Sequence, residues 1–388
     1  MRNINQLFFR LSIIAISCLA QTRGNAAISV IDAGDRQAVV AASVFNNKGV
    51  LLGITDENGS FQSAKASDFP LSVQCLGYEY ATVDTDGTTV GLLSRSYTLP
   101  EAVVSNKSRD GLKVLLYIRE LSTFIADGDT TLVISENMAD AILPTRPKIK
   151  GFKGHKNARI LNKRNFARYI RHAGTDSIAR DINTGAMSMI SIISSIDTLS
   201  LRETPRLRMV ESGFDTVMTK KNATVIYRKS QSSYTQSYDA LSGKEGHKVS
   251  PSMLKLIGMT IDINEAYNNM SFYRNDGGKY RLQDMIQVTY SISALAKGKL
   301  WKSIYGAKSD ILLKSLIEVY PVDFEYLTLE ECKEIEKDKN PDKPEFIIPG
   351  HVMPLDATMQ SIVDRALKLT PAKNELDTDS SKSIKVSL

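Results

Sequence analysis

The sequence predicts a mainly β or α+β protein, with an N-terminal antiparallel β-sandwich of the seven-strand type followed by an α+β domain that contains an antiparallel sheet. Three observations carry this expectation. Residues 27–104 alternate short β-branched runs with turn residues at near-regular spacing. Ala223–Arg228, Tyr234–Tyr238, Met285–Leu295 and Leu312–Tyr326 are rich in β-branched and aromatic residues, as the strands of a larger sheet are. Helix boundary signals are confined to a few places late in the chain.

The 388 residues suffice for two or three compact units, and 42% hydrophobic with 24% charged residues is the balance of a globular chain. The chain opens with Arg2 and Arg10 and no acid up to Arg10, then the apolar run Leu11–Ala20. That run is shorter than the roughly 20 residues a membrane-spanning helix needs and suits the core of a signal peptide. Cleavage is expected after Ala20, or as late as Ala26–Ala27. An alternative makes Cys18 an acylated lipoprotein cysteine, which would anchor the protein to a membrane. Either way the expected location is exported, in the periplasm or associated with the outer membrane. Losing Arg2 and Arg10 takes the formal charge from +6 to +4, too little to argue for a nucleic-acid partner. No later segment is apolar enough to cross a membrane as a helix.

In the first unit the expected strands are Ile28–Ile31, Val39–Phe45, Val50–Ile54, a strand opening at Phe61, and Leu71–Cys75. Asp56-Glu57-Asn58-Gly59 reads as a tight turn, because Asn-Gly readily takes positive φ. Its oxygens are too few and too close for a calcium loop.

Together Ala42-Ser43-Val44, the Gly53–Phe61 hairpin, Leu76-Gly77-Tyr78 and the stretch Tyr97–Val104 resemble the carboxypeptidase-regulatory-like domain, a transthyretin-like β-sandwich. The resemblance covers about residues 27–104 and implies a module without reactive groups, met in proteins of the Gram-negative envelope. The remainder is similar to exported proteins that carry the same first module, through Tyr117–Glu120, Ser135–Met138 and Tyr326–Glu331.

Residues 105–111 form a polar linker, 112–370 the α+β domain, and 371–388 a disordered tail. Leu112–Phe124 and Thr130–Ile134 form either a hairpin or a helix and a strand. Ser135 is expected to cap a short helix ending before Pro144. Ser250-Pro251 starts a helix that Gly258 stops, and Thr328 with Glu331 forms a capping box. Leu355, Met359, Ile362, Val363, Ala366 and Leu367 define the apolar face of a C-terminal helix.

Candidate chemistry is sparse. His155, His172, His247 and His351 stand in no HExxH or related spacing, and no phosphate loop, dinucleotide fingerprint or nucleophile elbow occurs. No cofactor, metal or catalytic residue is therefore assigned. Cys75 and Cys332 lie in different units and read as buried thiols. One stretch is unusual: between Pro144 and Arg180 eleven Lys or Arg stand against the single acid Asp176. Lys148, Lys150, Lys153, Lys156, Arg159, Lys163, Arg164, Arg168 and Arg171 form its candidate patch for an anionic partner such as a lipid or glycan. The alternative is a solvated loop and helix balancing the acidic helix around Glu330, Glu331, Glu334 and Glu336.

The functional expectation is a non-enzymatic envelope protein. Its sandwich acts as a rigid adaptor or interaction module, and its second domain binds a protein, glycan or lipid. One alternative is a hydrolase of unfamiliar type with its site in residues 112–370. Another is a relative of a TonB-dependent receptor accessory region, although a plugged barrel of about 22 strands needs a far longer chain.

Overall fold

A computed structural model describes residues 26–75, 77–95, 110–145, 149, 159–172, 175–180, 214–218, 224–229, 233–239, 258, 260–273, 282–355 and 357–368. The strands near the two ends of the large sheet are described chiefly by their backbone course. The expected signal peptide and alternative anchor at Cys18 lie outside these residues, as do the positions of the expected linker up to 109, of the helix expected from Ser250 up to 257, and of the expected tail. Strands dominate the described chain, and the mainly β class is as expected.

Seven strands build the sandwich: β1 (Ala26–Asp32), β2 (Ser43–Phe45), β3 (Leu51–Ile54), β4 (Ser60–Ala64), β5 (Leu71–Gln74), β6 (Ala81–Val83) and β7 (Thr89–Leu92). They lie in two sheets, β4-β1-β7 and β3-β2-β5-β6, paired antiparallel except that β1 and β7 run parallel. Alternation turns Ile28, Val30, Val44, Phe61, Leu71, Val73 and Leu92 into the core between them. The expected strand Val39–Phe45 is shorter, because Ala41 takes φ 55° and turns the backbone out of the ladder. Thr55 occupies the gap: its hydroxyl donates to the Val39 carbonyl (2.7 Å) and accepts from the Ala42 amide (2.9 Å). The Asn58-Gly59 turn is fixed by Asp56, whose carboxylate accepts from the amides of Asn58 and Ser60.

The second unit is a ten-stranded sheet. Its strands are β8 (Gly111–Ala126), β9 (Asp129–Pro144), β10 (Arg159–His172), β11 (Thr175–Arg180), β12 (Phe214–Met218), β13 (Thr224–Lys229), β14 (Ser233–Asp239), β15 (Thr260–Tyr273), β16 (Met285–Lys297) and β17 (Ile311–Leu327). The order is β11-β10-β9-β8-β17-β16-β15-β14-β13-β12, antiparallel throughout. Two meanders therefore meet where the first and last strands, β8 and β17, pair near the middle.

Leu112–Phe124 thus resolves as a strand of the β8–β9 hairpin. Asp127 (φ 55°) and Gly128 (φ 87°) form its two-residue turn, as an Asp-Gly pair favours. The Asp127 carboxylate accepts from the amides of Lys308 and Ser309, which ties the turn to the segment before β17. The helix expected from Ser135 is absent: β9 runs unbroken from Asp129 to Pro144. Most of β9 is buried on both faces, so its apolar residues do not alternate and the sequence mimics a helical period.

Three helices follow or interrupt the last strands: α1 (Lys299–Tyr305), α2 (Leu329–Lys337) and α3 (Ala357–Lys368). The capping box of α2 forms as expected, with Thr328 Oγ1 accepting from the Glu331 amide and Glu331 accepting from the Thr328 amide. In α3, Met359, Ile362 and Val363 are buried, while Leu355 lies just before the helix. No described helix is long and apolar enough to cross a membrane.

The sheet's two faces are used differently. One face carries Tyr117, Leu121, Leu132, Ile134, Met138, Leu316 and Tyr320. Phe45 and Leu51 of the sandwich pack on it beside α3, and Phe346 and Val352 of the segment between α2 and α3 join Tyr117 and Tyr320. Helix α2 places Cys332 beside Ile142 on the same face. The opposite face carries the largest apolar cluster, including Leu116, Ile118, Val133, Met270, Val288, Tyr290, Ile292 and Ile317. Among the described residues its helical contribution is Trp301 of α1.

Candidate functional site

The basic stretch is partly a strand, not the loop and helix expected. Lys148, Lys150, Lys153 and Lys156 lie outside the described residues, whereas the other five positions fall on β10. Arg159 stands opposite Asp140 and forms a two-pronged ion pair with it, Nε to Oδ1 at 3.0 Å and Nη2 to Oδ2 at 2.6 Å. Its Nη1 also reaches the carbonyls of Ile335 and Asp338, where α2 ends. A cation at a helix C-terminus meets the negative end of the helix dipole, so Arg159 serves the fold. Among the described residues, Arg159 meets the end of the acidic helix, and does so through backbone oxygens.

Strand register divides the other four. Lys163 pairs with Asn137 and Arg168 with Val133, positions on the apolar face. Arg164 pairs with Glu136 and Arg171 with Thr130, on the face that α3 and the sandwich occupy. Two bulges, between Ile160 and Asn162 and between Arg164 and Ala167, reset the alternation. Lys163 is exposed.

The covered face holds a buried polar seam that the motif search did not single out. Arg119 and Glu318, neighbours across β8 and β17, pair Nε to Oε2 at 2.5 Å, with side chains 5% and 3% exposed. Tyr320 donates to Glu318 Oε1 (3.2 Å) and accepts from Gln287 Nε2 (2.9 Å) and the Met353 amide (3.2 Å). Tyr117 donates to Glu136 at 2.5 Å. Burial raises both tyrosine hydroxyls far above their ordinary range, helped by the neighbouring carboxylates Glu136 and Glu318. These hydroxyls stay protonated and act as donors. His351 sets its ring 5.6 Å from Tyr320 and Nε2 3.0 Å from the Ile286 carbonyl, and burial pushes its pKa down, leaving it neutral. The seam joins strands, sandwich and the α2–α3 segment. A sequence signal was present, since Arg119 follows the apolar run Val114–Ile118 and Glu318 the pair Leu316–Ile317, but other charges in the same strands, such as Glu120 and Lys314, blur it.

The apolar face is not uniformly apolar. Glu120, Ser122, Ser135, Asn137 and Ser315 are buried there, with Ser122 donating to Glu120 (2.7 Å) and Ser122 and Ser315 within 2.7 Å. Further across, Asn268 hydrogen-bonds the buried Tyr290 hydroxyl, while Asn268 Oδ1 and Gln236 Oε1 have no hydrogen-bond partner. Register makes Gln236 and Asn268 diagonal neighbours on adjacent strands.

Among the described residues no group of three or more His, Cys, Asp or Glu side chains converges as a metal site requires. His155 and His247 lie outside them. Cys332 is a buried thiol, as expected, whose pKa is pushed up to about 11, whereas Cys75 in the sandwich is half-buried and not the buried thiol expected.

No known protein family matches the chain, and no curated protein does. Among solved structures, a chain described under "Lipid-protein interactions in lipovitellin" is similar at 8% sequence identity and a TM-score of 0.23, covering 57% of this chain. The match spans 26% of that chain, and a likeness this slight carries no argument about fold or function.

Proposed function

We propose that this is a non-enzymatic exported envelope protein whose ten-stranded sheet binds an anionic amphiphile, with the sandwich as a rigid adaptor fixed to the sheet's other face. The observation that carries the reading is the division of the sheet. The sandwich, α2, α3 and the α2–α3 segment occupy one face, and the other holds a continuous apolar cluster with scattered polar groups. Apolar residues with a few fixed polar groups among them are the usual chemistry of a small-molecule site. Lys163 and Arg168 stand at register positions on that same face, near the β11 edge, where an anionic headgroup would be met.

The adaptor part rests on how the sandwich is held. Phe45 and Leu51 pack with Leu121, Leu316 and Met359, and the Lys314 ammonium donates to the Leu52 carbonyl. A Cβ at Gly49 would lie 2.9 Å from Met359 Cγ, so the β2–β3 turn sits directly on α3. Such a module does not swing on a tether.

The experiment is organic extraction and mass spectrometry of the mature protein purified from an envelope fraction. The expected result is a stoichiometric anionic amphiphile, reduced when Lys163 and Arg168, the two basic register positions on the apolar face, are neutralised together. A protein that carries nothing, and takes up no anionic lipid from vesicles, would reject the reading.

A further inference from the structure

Between the sandwich and the sheet lies a small cavity lined by Ser43, Gln74, Asn269, Gln287, Thr289 and Glu318 among others. The centres a water-sized sphere can take fill about 10 Å3, room for one such sphere. Gln74 comes from β5 of the sandwich and is 5% exposed, and Asn269 comes from β15 of the sheet and is 4% exposed. Gln74 Oε1 and Asn269 Oδ1 are both buried without a hydrogen-bond partner. Leaving two buried acceptors unpaired is costly, and native proteins answer it with a donor.

We infer that this cavity is a binding site for a single hydrogen-bond-donating guest, a water molecule, that joins the sandwich to the sheet through Gln74 and Asn269. Water has two hydrogens for the two amide oxygens. Ser43 and Thr289 line the same space, and each brings a hydroxyl, a group able to donate to a lone pair. A cation is disfavoured by charge. Among the described lining residues Glu318 is the one carboxylate, and Arg119 already neutralises it at 2.5 Å while Tyr320 donates to its other oxygen. A metal ion here would be a buried charge without compensation. The joint between the modules is therefore apolar at Phe45 and Leu51 and bridged by a guest at its polar end.

The test is a high-resolution crystal structure of the full mature protein, alone and soaked in rubidium chloride, beside the Asn269→Leu variant. The inference expects one density peak within hydrogen-bond distance of both amide oxygens, no anomalous signal from rubidium, and no peak in the variant. Melting temperatures of Gln74→Met, Asn269→Leu and the double variant should show the double losing well short of the summed single losses, because both amides hold one guest. An anomalous peak would replace the water by a cation. Amides turned to pair directly with their neighbours, or additive losses, would overturn the bridge.

Discussion

Arg119 and Glu318 show how a charge is kept inside this sheet. Their pair is nearly free of solvent, and desolvation opposes the Arg119 charge while the Glu318 carboxylate supports it. Removing one partner strands the other, so Arg119→Met should cost about 3–5 kcal/mol of stability. The double variant Arg119→Met/Glu318→Met should lose much less than the two singles together, as measured by denaturant midpoints. If the losses simply add, the seam is not a coupled unit. His351 gives the same region a pH dependence. Burial depresses its folded pKa below the ordinary 6.5, so the unfolded chain binds the proton more readily. Its contribution is complete above about pH 6.5 and is lost as pH falls from there through the lower folded value. Thermal midpoints should decline over that acid window, and His351→Gln should flatten the decline.

At the scale of elements, turns were easier to read from sequence than strands buried on both sides. Gly59 was placed at a positive-φ turn and takes φ 72°. A Cβ there would lie 2.3 Å from the Val30 carbonyl, whose own residue hydrogen-bonds back to Gly59. Gly59→Ala should therefore cost roughly 1–3 kcal/mol through strain and displacement of β1, read from the same unfolding curves. A wild-type midpoint would mean the turn relaxes freely. The α2 capping box was equally legible, since its two residues bond to each other's backbone at a spacing of three. The error at Ser135 has the opposite origin. In β9 both faces are covered, Ile134 and Met138 by α3 and the α2–α3 segment, Val133 and Ala139 within the apolar cluster. Local periodicity cannot show burial on two sides. β15 is hidden for a related reason: its Asp262, Asn264, Glu265, Asn268 and Asn269 dilute the β signal, although the strand pairs with β16 along nearly its whole length and with β14 from Tyr267 to Tyr273.

For the whole molecule, the packing of the sandwich strands against the ten-stranded sheet was not legible in the sequence. Phe45 and Leu51 are ordinary strand residues, and nothing local marks them as packed against Leu121 and Met359. The basic stretch was visible as composition, but only register shows that Arg159 serves the fold while Lys163 and Arg168 share the apolar face. The same pairing implies that neutralising Arg159 acts on stability, not on partner binding. Arg159→Gln should lower the melting temperature and leave uptake of anionic lipid by the folded protein unchanged, whereas lost uptake at full stability would return Arg159 to the binding patch.

The chain carries one tryptophan, and it is well placed as a reporter. Trp301 is 2% exposed and packs within the apolar cluster of the face assigned to the amphiphile. The most direct measurement is Trp301 fluorescence during titration with an anionic lipid brominated along its acyl chains, with aqueous iodide as the control. Binding on the apolar face predicts saturable quenching by the brominated lipid and little by iodide. Full fluorescence at lipid concentrations where the protein has bound would place the partner elsewhere and contradict the account.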